Sequence, residues 1–153
     1  MSRMMVDGRT VELRPARWEE VIDLRHVVLR EGLPRSEAIF PGDELTTSRH
    51  YAAFHDRRTV CCVTLHASQW EGEPAWQLRG MATSDDFRGR GIGKALMRML
   101  EADVRATSPV HLLWCNARVP AARFYQEQGW TIRSDIFEIP TAGPHYRMTK
   151  RLG

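Results

Sequence analysis

The sequence lacks long apolar segments. Nowhere do about 18 apolar residues follow one another, as a membrane-spanning helix requires. Residues 1–10 also lack the apolar run of roughly 7–15 residues that a secretory signal contains. These absences predict a cytoplasmic protein that does not associate with membranes.

Cysteine and clustered charge are also scarce. The three cysteines are an odd number, and the neighbours Cys61 and Cys62 would point to opposite faces of a strand, so no disulfide framework is expected. No metal site is predicted either. The net charge is only +3, and the arginines are dispersed from Arg3 to Arg151. We therefore expect no nucleic-acid partner, although attraction of a polyanionic small ligand remains open.

The remaining composition is that of an ordinary globular protein. The chain has 153 residues, of which 42% are hydrophobic and 27% charged. No internal repeat, low-complexity tract or long linker interrupts it. We expect residues 1–153 to form a single domain.

Apolar periodicity predicts a mixed order of elements, with meandering strands followed by strand, helix, strand, helix, strand. Helices are predicted over residues 18–30, from Ile92 to the break at Ser108-Pro109, and from Pro120 to Gly129. The predicted strands cover residues 10–14, 51–55, 59–66, 75–83, 110–115, 130–136 and 145–152. This order favours an α/β (α+β) protein whose mostly antiparallel sheet carries helices on both faces.

The most informative segment is a glycine-rich turn between a strand and an amphipathic helix. Glycines let the backbone approach a ligand, and a helix start offers unpaired N–H groups to phosphate oxygens. Arg88, Arg90 and Lys94 add positive charge there. A phosphate-bearing ligand is the natural occupant.

Spacing excludes two common phosphate-binding loops. The Walker pattern fails because Gly93-Lys94 is followed by Ala95 and position 88 is arginine. The dinucleotide pattern fails because Gly89, Gly91 and Gly93 are separated by two positions each. A nucleotide-binding protein is therefore the weakest interpretation.

The pattern that fits is Arg88-x-x-Gly91-x-Gly93, and in it the chain resembles the GNAT superfamily of N-acetyltransferases. A second signature of that family follows downstream, with Asn116 ahead of Phe124-Tyr125 and Gly129-Trp130. Two motifs thus agree in order and separation. Further likeness at Leu24-Arg25, Gly42-Asp43-Glu44 and Gly143-Pro144-His145-Tyr146 resembles the ElaA-like and YjcF-like small bacterial acetyltransferases.

The resemblance implies the GNAT acyl-CoA N-acyltransferase fold. That fold has a central mixed, mostly antiparallel sheet of about six to seven strands flanked by about four helices, splayed between the fourth and fifth strands. It also implies transfer of an acetyl group from acetyl-CoA to an amine of a small molecule or peptide. The amine would attack directly, without a covalent acyl-enzyme.

The resemblance further implies the roles of individual residues. Tyr125 would give a proton or a hydrogen bond to the departing CoA thiolate, and Asn116 would contact the pantetheine arm. Met81, Ala82 and Thr83 would face the acyl end. The CoA pyrophosphate would bind to Arg88, Gly89, Arg90, Gly91, Ile92, Gly93 and Lys94.

The general base is less determined by the sequence. Position suggests His145, His50, Glu138 or Asp43, and we favour His145 because histidine titrates near neutrality. Arg25 and Glu44 could form an ion pair beside the acceptor. Cys115 could in principle accept the acyl group, but its apolar neighbours favour a packing role.

A non-enzymatic alternative is an acyl-CoA-binding sensor or scaffold with the same fold. The presence of Tyr125 favours catalysis, because binding alone needs no proton donor. The sequence leaves open the acceptor, the acyl length and whether the chain forms a homodimer.

Overall fold

A computed structural model describes residues 2–153. Its helices are α1 (Ile22–Leu29), α2 (Ile92–Thr107) and α3 (Ala122–Gln126). Single 3-10 turns lie at Trp18–Glu20, Arg35–Ala38, Asp85–Phe87 and Val119–Ala121. The strands are β1 (Ser2–Val6), β2 (Arg9–Ala16), β3 (Arg49–His55), β4 (Arg58–Trp70), β5 (Glu73–Thr83), β6 (Leu112–Arg118), β7 (Thr131–Ile132), β8 (Phe137–Ile139) and β9 (Gly143–Arg151).

The strands form one sheet in the order β1-β2-β3-β4-β5-β6-β9-β7, and β8 pairs with β9. Neighbours are antiparallel except β5 and β6, which are parallel. The predicted mixed, mostly antiparallel sheet is therefore confirmed. A parallel pair requires a crossover, and α2 provides it.

The element counts differ from the sequence prediction. Among residues 2–153 there are nine strands rather than six or seven, and three α-helices rather than four. β1 was missed, although the Asp7-Gly8 turn that joins it to β2 has positive φ at both residues, as a tight hairpin needs. The strand predicted over residues 130–136 is reduced to Thr131–Ile132, and a separate strand, Phe137–Ile139, follows it.

The sheet opens between β5 and β6. These strands pair only from Trp76 opposite Leu113 to Leu78 opposite Cys115. Beyond this point β5 continues to Thr83 and β6 to Arg118 without pairing to each other. They are the two strands predicted to splay, and they count as fifth and sixth because β1 precedes them.

A bulge reshapes β5 just past the opening. Cys62 lies opposite Ala82 and Thr64 opposite Arg79, so Gly80 and Met81 share one position across from β4. Gly80 has a φ of +66°, a conformation that suits glycine. Bulges bend a strand and increase its twist, and this one lies just beyond the last residue of β5 that pairs with β6.

Helices cover both faces of the sheet. α2 buries residues at helical spacing, including Leu96, Leu100 and Val104, in the larger core with Leu113 and Met148. α1 covers the other face, where Ile22 and Leu24 join a smaller core with Ala52 and Ala82. The splayed ends of β5 and β6 therefore lie between two packed layers.

Candidate active site

A cleft of about 590 Å³ lies where β5 meets α2. We call it the glycine-turn cleft. Every residue from Met81 to Thr83 and from Arg88 to Lys94 lines it. The other lining residues are Val28, Leu29, Phe87, Arg118, Phe124, Glu127 and Gln128. The structure thus brings together all ten of these sequence-predicted positions.

The main chain of the turn is open to an anion. Gly89 and Gly91 have φ of +70° and +81°, values that other residues adopt only with strain. Gly91 is the N-cap of α2, which has no side-chain cap and no acidic residue in its first turn. The first amides of a helix lack partners within it and carry partial positive charge. A phosphate would satisfy them.

Gly93 sets how closely the turn approaches its surroundings. A Cβ at this position would lie 3.0 Å from Met81 Cε and 3.5 Å from Phe124 Cζ. Glycine therefore lets α2 begin directly against the end of β5 and against α3. This contact joins the three elements that line the cleft.

Two of the basic side chains already bind carboxylates. Arg90 Nε lies 2.7 Å from Asp7 Oδ2, and this hydrogen bond is the main reason that the pKa of Asp7 is lowered. Arg88 Nε lies 3.1 Å from Asp85 Oδ1. All four side chains are exposed, so these pairs are weak and an incoming phosphate can replace the carboxylates.

A second cavity, of about 250 Å³, lies where β5 and β6 diverge. We call it the splay pocket. It shares Leu29, Met81 and Arg118 with the glycine-turn cleft, so the two adjoin. The splay pocket is further lined by Arg30, Phe40, Gln77, Leu78, Arg79, Gly80, Cys115, Asn116, Ala117, Ala121, Tyr125, Ile139, Ala142 and His145. The remaining predicted site residues, Asn116, Tyr125 and His145, are among them.

Tyr125 is held firmly on α3. It is only 5% exposed, and its ring makes edge contacts with Phe124 and Trp130 at centroid distances of 5.2 and 5.3 Å. No residue in the described part of the chain bonds its hydroxyl. Burial raises the pKa of Tyr125 well above its usual range, which keeps the phenol neutral and able to donate.

His145 enters the splay pocket from β9, opposite Arg118 of β6. Its Nδ1 lies 2.7 Å from the carbonyl oxygen of Gly143. A carbonyl can only accept, so Nδ1 carries a proton, and in the neutral imidazole Nε2 is therefore the acceptor. That is the tautomer that a general base needs.

The other base candidates lie outside both cavities. Both ring nitrogens of His50 are used, one by Thr64 Oγ1 at 2.7 Å and one by the carbonyl of Asp43 at 2.9 Å. Glu138 is exposed on β8. Neither residue lines the glycine-turn cleft or the splay pocket.

Asp43 instead belongs to a buried ion pair with Arg25. The Nη1 to Oδ2 distance is 2.6 Å, and both side chains are 0% exposed. Burial alone would raise the pKa of Asp43, but hydrogen bonds from His66 and Arg25 outweigh it and hold that pKa well below its usual range. The suggested pair between Arg25 and Glu44 was wrong, because Asp43 takes the guanidinium and Glu44 is exposed.

The cysteines are buried and free. Cys115 lines the splay pocket, but burial raises the pKa of its thiol to about 12. The thiolate, not the thiol, is the nucleophilic form of cysteine. Its setting is that of a packing residue.

Sequence reasoning missed the arginines of the splay pocket. Arg30 directly follows α1, Arg79 and Arg118 lie on β5 and β6, and Phe40 comes from the loop before β3. One signal was available: Arg79 is the only charged residue in the strand predicted over residues 75–83. The other two follow only from the tertiary arrangement.

Within residues 2–153 no group of three or more His, Cys, Asp or Glu side chains could hold a metal ion. No helix in the same range is long and apolar enough to cross a membrane.

An open mixed sheet with one splayed parallel pair and a glycine turn before the crossover helix defines the acyl-CoA N-acyltransferase fold. The model of the acetyltransferase (GNAT) domain matches residues 46–132, more than half of the chain. The chain belongs to the GNAT family. The membership predicted from the two motifs is confirmed.

The comparisons also identify similar individual proteins. An uncharacterized N-acetyltransferase of Bacillus subtilis (strain 168), YitI, is 28% identical over 148 residues, which cover 93% of this chain and 97% of YitI. Escherichia coli ElaA has the same fold, with a TM-score of 0.76 at 19% identity over 92% of this chain and 99% of ElaA. An aminoglycoside 6'-N-acetyltransferase complexed with coenzyme A gives 0.73 at 16% identity, covering 92% and 97% of the two chains.

Proposed function

We propose that this protein transfers an acetyl group from acetyl-CoA directly to an amine. The observation that carries the proposal is the continuity of the two cavities. An anion-binding turn leads, past Met81 and Arg118, into a pocket lined by both a buried phenol and a histidine. A pure binding module would need neither a proton donor nor a base in the second cavity.

The glycine-turn cleft fits the CoA portion of the donor. The amides at the start of α2, with Arg88, Arg90 and Lys94 beside them, suit its pyrophosphate. The unpaired stretches of β5 and β6 suit the pantetheine arm, because exposed strand N–H and C=O groups need partners. In this arrangement Asn116 contacts the arm, and residues 81–83 face the acyl end.

The splay pocket supplies the acid and the base. His145 Nε2 takes a proton from the acceptor amine, which attacks the thioester carbonyl carbon. The carbon–sulfur bond breaks, and Tyr125 donates its hydroxyl proton or a hydrogen bond to the departing thiolate. A main-chain N–H of residues 81–83 can stabilise the oxyanion. No acyl-enzyme is formed.

The test is calorimetric titration with CoA and acetyl-CoA, followed by a CoA-release assay against amino acids, polyamines, aminoglycosides and peptides. We expect saturable binding of acetyl-CoA and release that depends on the acceptor, with an acetylated product in the mass spectrum. Tight binding without turnover on any amine would instead indicate an acyl-CoA sensor. Absence of binding would overturn both functions.

A further inference from the structure

The wall of the splay pocket is strongly positive. Three of its lining residues are arginines, Arg30, Arg79 and Arg118, and none of its lining residues is acidic. Alternation along a strand directs Gln77 and Arg79 to one face of β5, and Asn116 and Arg118 to one face of β6. The charge is therefore concentrated on the side of the opening that α1 covers.

These three guanidinium groups have no carboxylate partner. No salt bridge in the described part of the chain includes any of them, whereas Arg14 and Arg25 each bind a carboxylate within 3 Å. The guanidinium groups of Arg79 and Arg118 donate no hydrogen bond to any of residues 2–153. The guanidinium of Arg30 donates only to the carbonyl of its neighbour Leu29, at 3.0 Å.

The arginines also repel one another. Burial, and then the charges of Arg25 and Arg30, lower the pKa of Arg79. Burial, followed by the charge of Arg118, lowers the pKa of Arg30. Arginine nevertheless remains charged at neutral pH. Exposed Glu37 and buried Asp43 act on the cluster only from outside the pocket, and Asp43 is already bonded to Arg25.

Phe40 holds part of the cluster in place. The guanidinium carbons of Arg79 and Arg30 lie 4.4 and 5.1 Å from its ring centroid. Phe40 is itself fixed by the main-chain N–H bond that it donates to Asp43 Oδ2. The guanidinium groups of Arg30 and Arg79 are thus held against Phe40 before any ligand arrives, which lowers the entropic cost of binding.

From this wall we infer that the acceptor amine carries an anionic group, a carboxylate or a phosphate, that binds to Arg30 and Arg79 while the amine faces His145. The inference rests on the proposed function and specifies its substrate class. A fork of guanidinium donors matches both anions. The cavity of about 250 Å³ suits a small molecule rather than a drug-sized one.

Two other uses of the arginines fit less well. Arg118 also lines the glycine-turn cleft and could serve CoA, but Arg30 and Arg79 line only the splay pocket. A polycationic acceptor such as an aminoglycoside or a polyamine would meet like charges without a carboxylate among the lining residues. Like-charge contacts disfavour such partners.

Matched acceptors test the inference. With acetyl-CoA saturating, CoA release is compared for amino acids against their amides and for phosphoethanolamine against ethanolamine, with putrescine as a cation. We expect the anionic member of at least one pair to have a kcat/KM about ten- to a hundredfold higher, the range of a charged hydrogen bond. The two pairs distinguish carboxylate from phosphate. Equal or better use of the neutral or cationic amines would overturn the inference and leave the acetyltransferase proposal intact.

Variants of Arg79 and Arg30 test whether these residues cause the preference for anionic acceptors. Arg79→Gln should raise the acceptor KM by about ten- to a hundredfold and erase the preference within the pair, while CoA affinity stays unchanged. Arg79→Lys should recover part of the preference for the anionic acceptor, because lysine keeps the positive charge but not the forked pair of guanidinium donors. Arg3→Gln, on the exposed side of β1, is the matched control and should change nothing. A preference that survives Arg79→Gln and Arg30→Gln would overturn the assignment.

A binding measurement covers the case in which no tested amine is a substrate. CoA first saturates the glycine turn, and inorganic phosphate and acetate are then titrated separately by NMR. With at least one of the two anions we expect shifts around Arg79 and Arg30 that Arg79→Gln abolishes. Absence of such shifts with both anions in a protein that binds CoA would contradict the inference, whereas failure to bind CoA would contradict the proposed function itself.

Discussion

The two cavities are built in different ways. The glycine-turn cleft draws most of its lining from one stretch of chain, residues 81–94, and offers mainly backbone amides. The splay pocket assembles side chains from α1, β5, β6, α3 and β9 and from the loop that carries Phe40. Backbone recognition depends on a local conformation, whereas side-chain recognition depends on the whole tertiary arrangement. Variants should therefore affect the two cavities separately.

The largest effect is expected in the glycine-turn cleft from Gly91→Val. Open space surrounds the position, so valine causes no clash, but its φ of +81° is strained for a β-branched residue. The turn would leave that conformation and misalign the first amides of α2. We expect calorimetry to detect no CoA binding, with the circular dichroism spectrum unchanged.

Gly72→Val is the matched control. Gly72 has a φ of +80° and equally open surroundings, but it lies in the turn between β4 and β5. Its backbone penalty should be similar while CoA binding is retained. Normal CoA affinity in folded Gly91→Val protein would contradict the assignment of this turn to the pyrophosphate.

The next effect is expected in the splay pocket from His145→Gln. Glutamine retains a polar side chain but cannot take up a proton, so loss of a general base should reduce kcat/KM by about 10²- to 10⁴-fold. CoA affinity should not change. His111→Gln, which removes a similar ring contact to the carbonyl of Ser108 outside both cavities, should have no effect on rate. An unchanged rate in His145→Gln would remove the histidine from the mechanism.

Asp43→Asn should weaken the support of the splay pocket. The change leaves the Arg25 guanidinium buried without a counter-charge, which typically costs about 3–5 kcal/mol. Arg25 also packs on Phe40 and on the bulge at Gly80, so acceptor binding should suffer while CoA binding is retained. Urea titrations at several pH values would measure the loss of stability.

The stability that Asp43 contributes should depend on pH in a defined direction. The folded-state pKa of Asp43 is lowered, so its stabilisation is complete above the unfolded value of about 3.9 and is lost as the pH falls through the folded value. The difference between parent and variant should be constant from pH 7 to about pH 5 and shrink below that. Glu73→Gln, which breaks the exposed pair with Arg151, is the control and should leave stability unchanged. Equal stability of Asp43→Asn and the parent would show that the pair is dispensable.

The contrast between the local glycine-turn cleft and the tertiary splay pocket explains which parts of the site could be predicted from the sequence. The strand, glycine turn and helix of residues 75–107 are successive in the chain, so spacing and periodicity sufficed to predict them and the cleft that they line. Arg79 is far in sequence from Arg30 and Phe40, and the three meet only after α1 packs on β5. Asp43 was considered as a base because nothing local reveals that Arg25 and His66 already bind it.

Tyr125→Phe should affect chemistry alone. The ring contacts with Phe124 and Trp130 remain, and the hydroxyl has no partner in the described residues, so stability and CoA affinity should hold. We expect kcat to fall by about tenfold to a thousandfold, the lower end applying if water replaces the phenol. Tyr51→Phe is the control, because the Tyr51 hydroxyl donates a hydrogen bond to Asp103 outside both cavities. This variant should show the opposite pattern, with lower stability and a normal kcat. Parent-like turnover by Tyr125→Phe would make Tyr125 a packing residue.

The smallest effect is expected from Cys115→Ala, at the boundary between core and splay pocket. Direct transfer needs no thiol nucleophile, and burial raises the pKa of Cys115 to about 12, so almost no thiolate exists at neutral pH. The variant should bind CoA and turn over like the parent, with only a small loss of stability from the missing sulfur. Intact-mass spectrometry after incubation of the parent with acetyl-CoA alone should show no added acetyl group. Either of two results would instead require an acyl-enzyme: a stable adduct at Cys115, or a Cys115→Ala protein that binds CoA normally but is inactive. The roles given to His145 and Tyr125 would then have to be divided between acylation and deacylation.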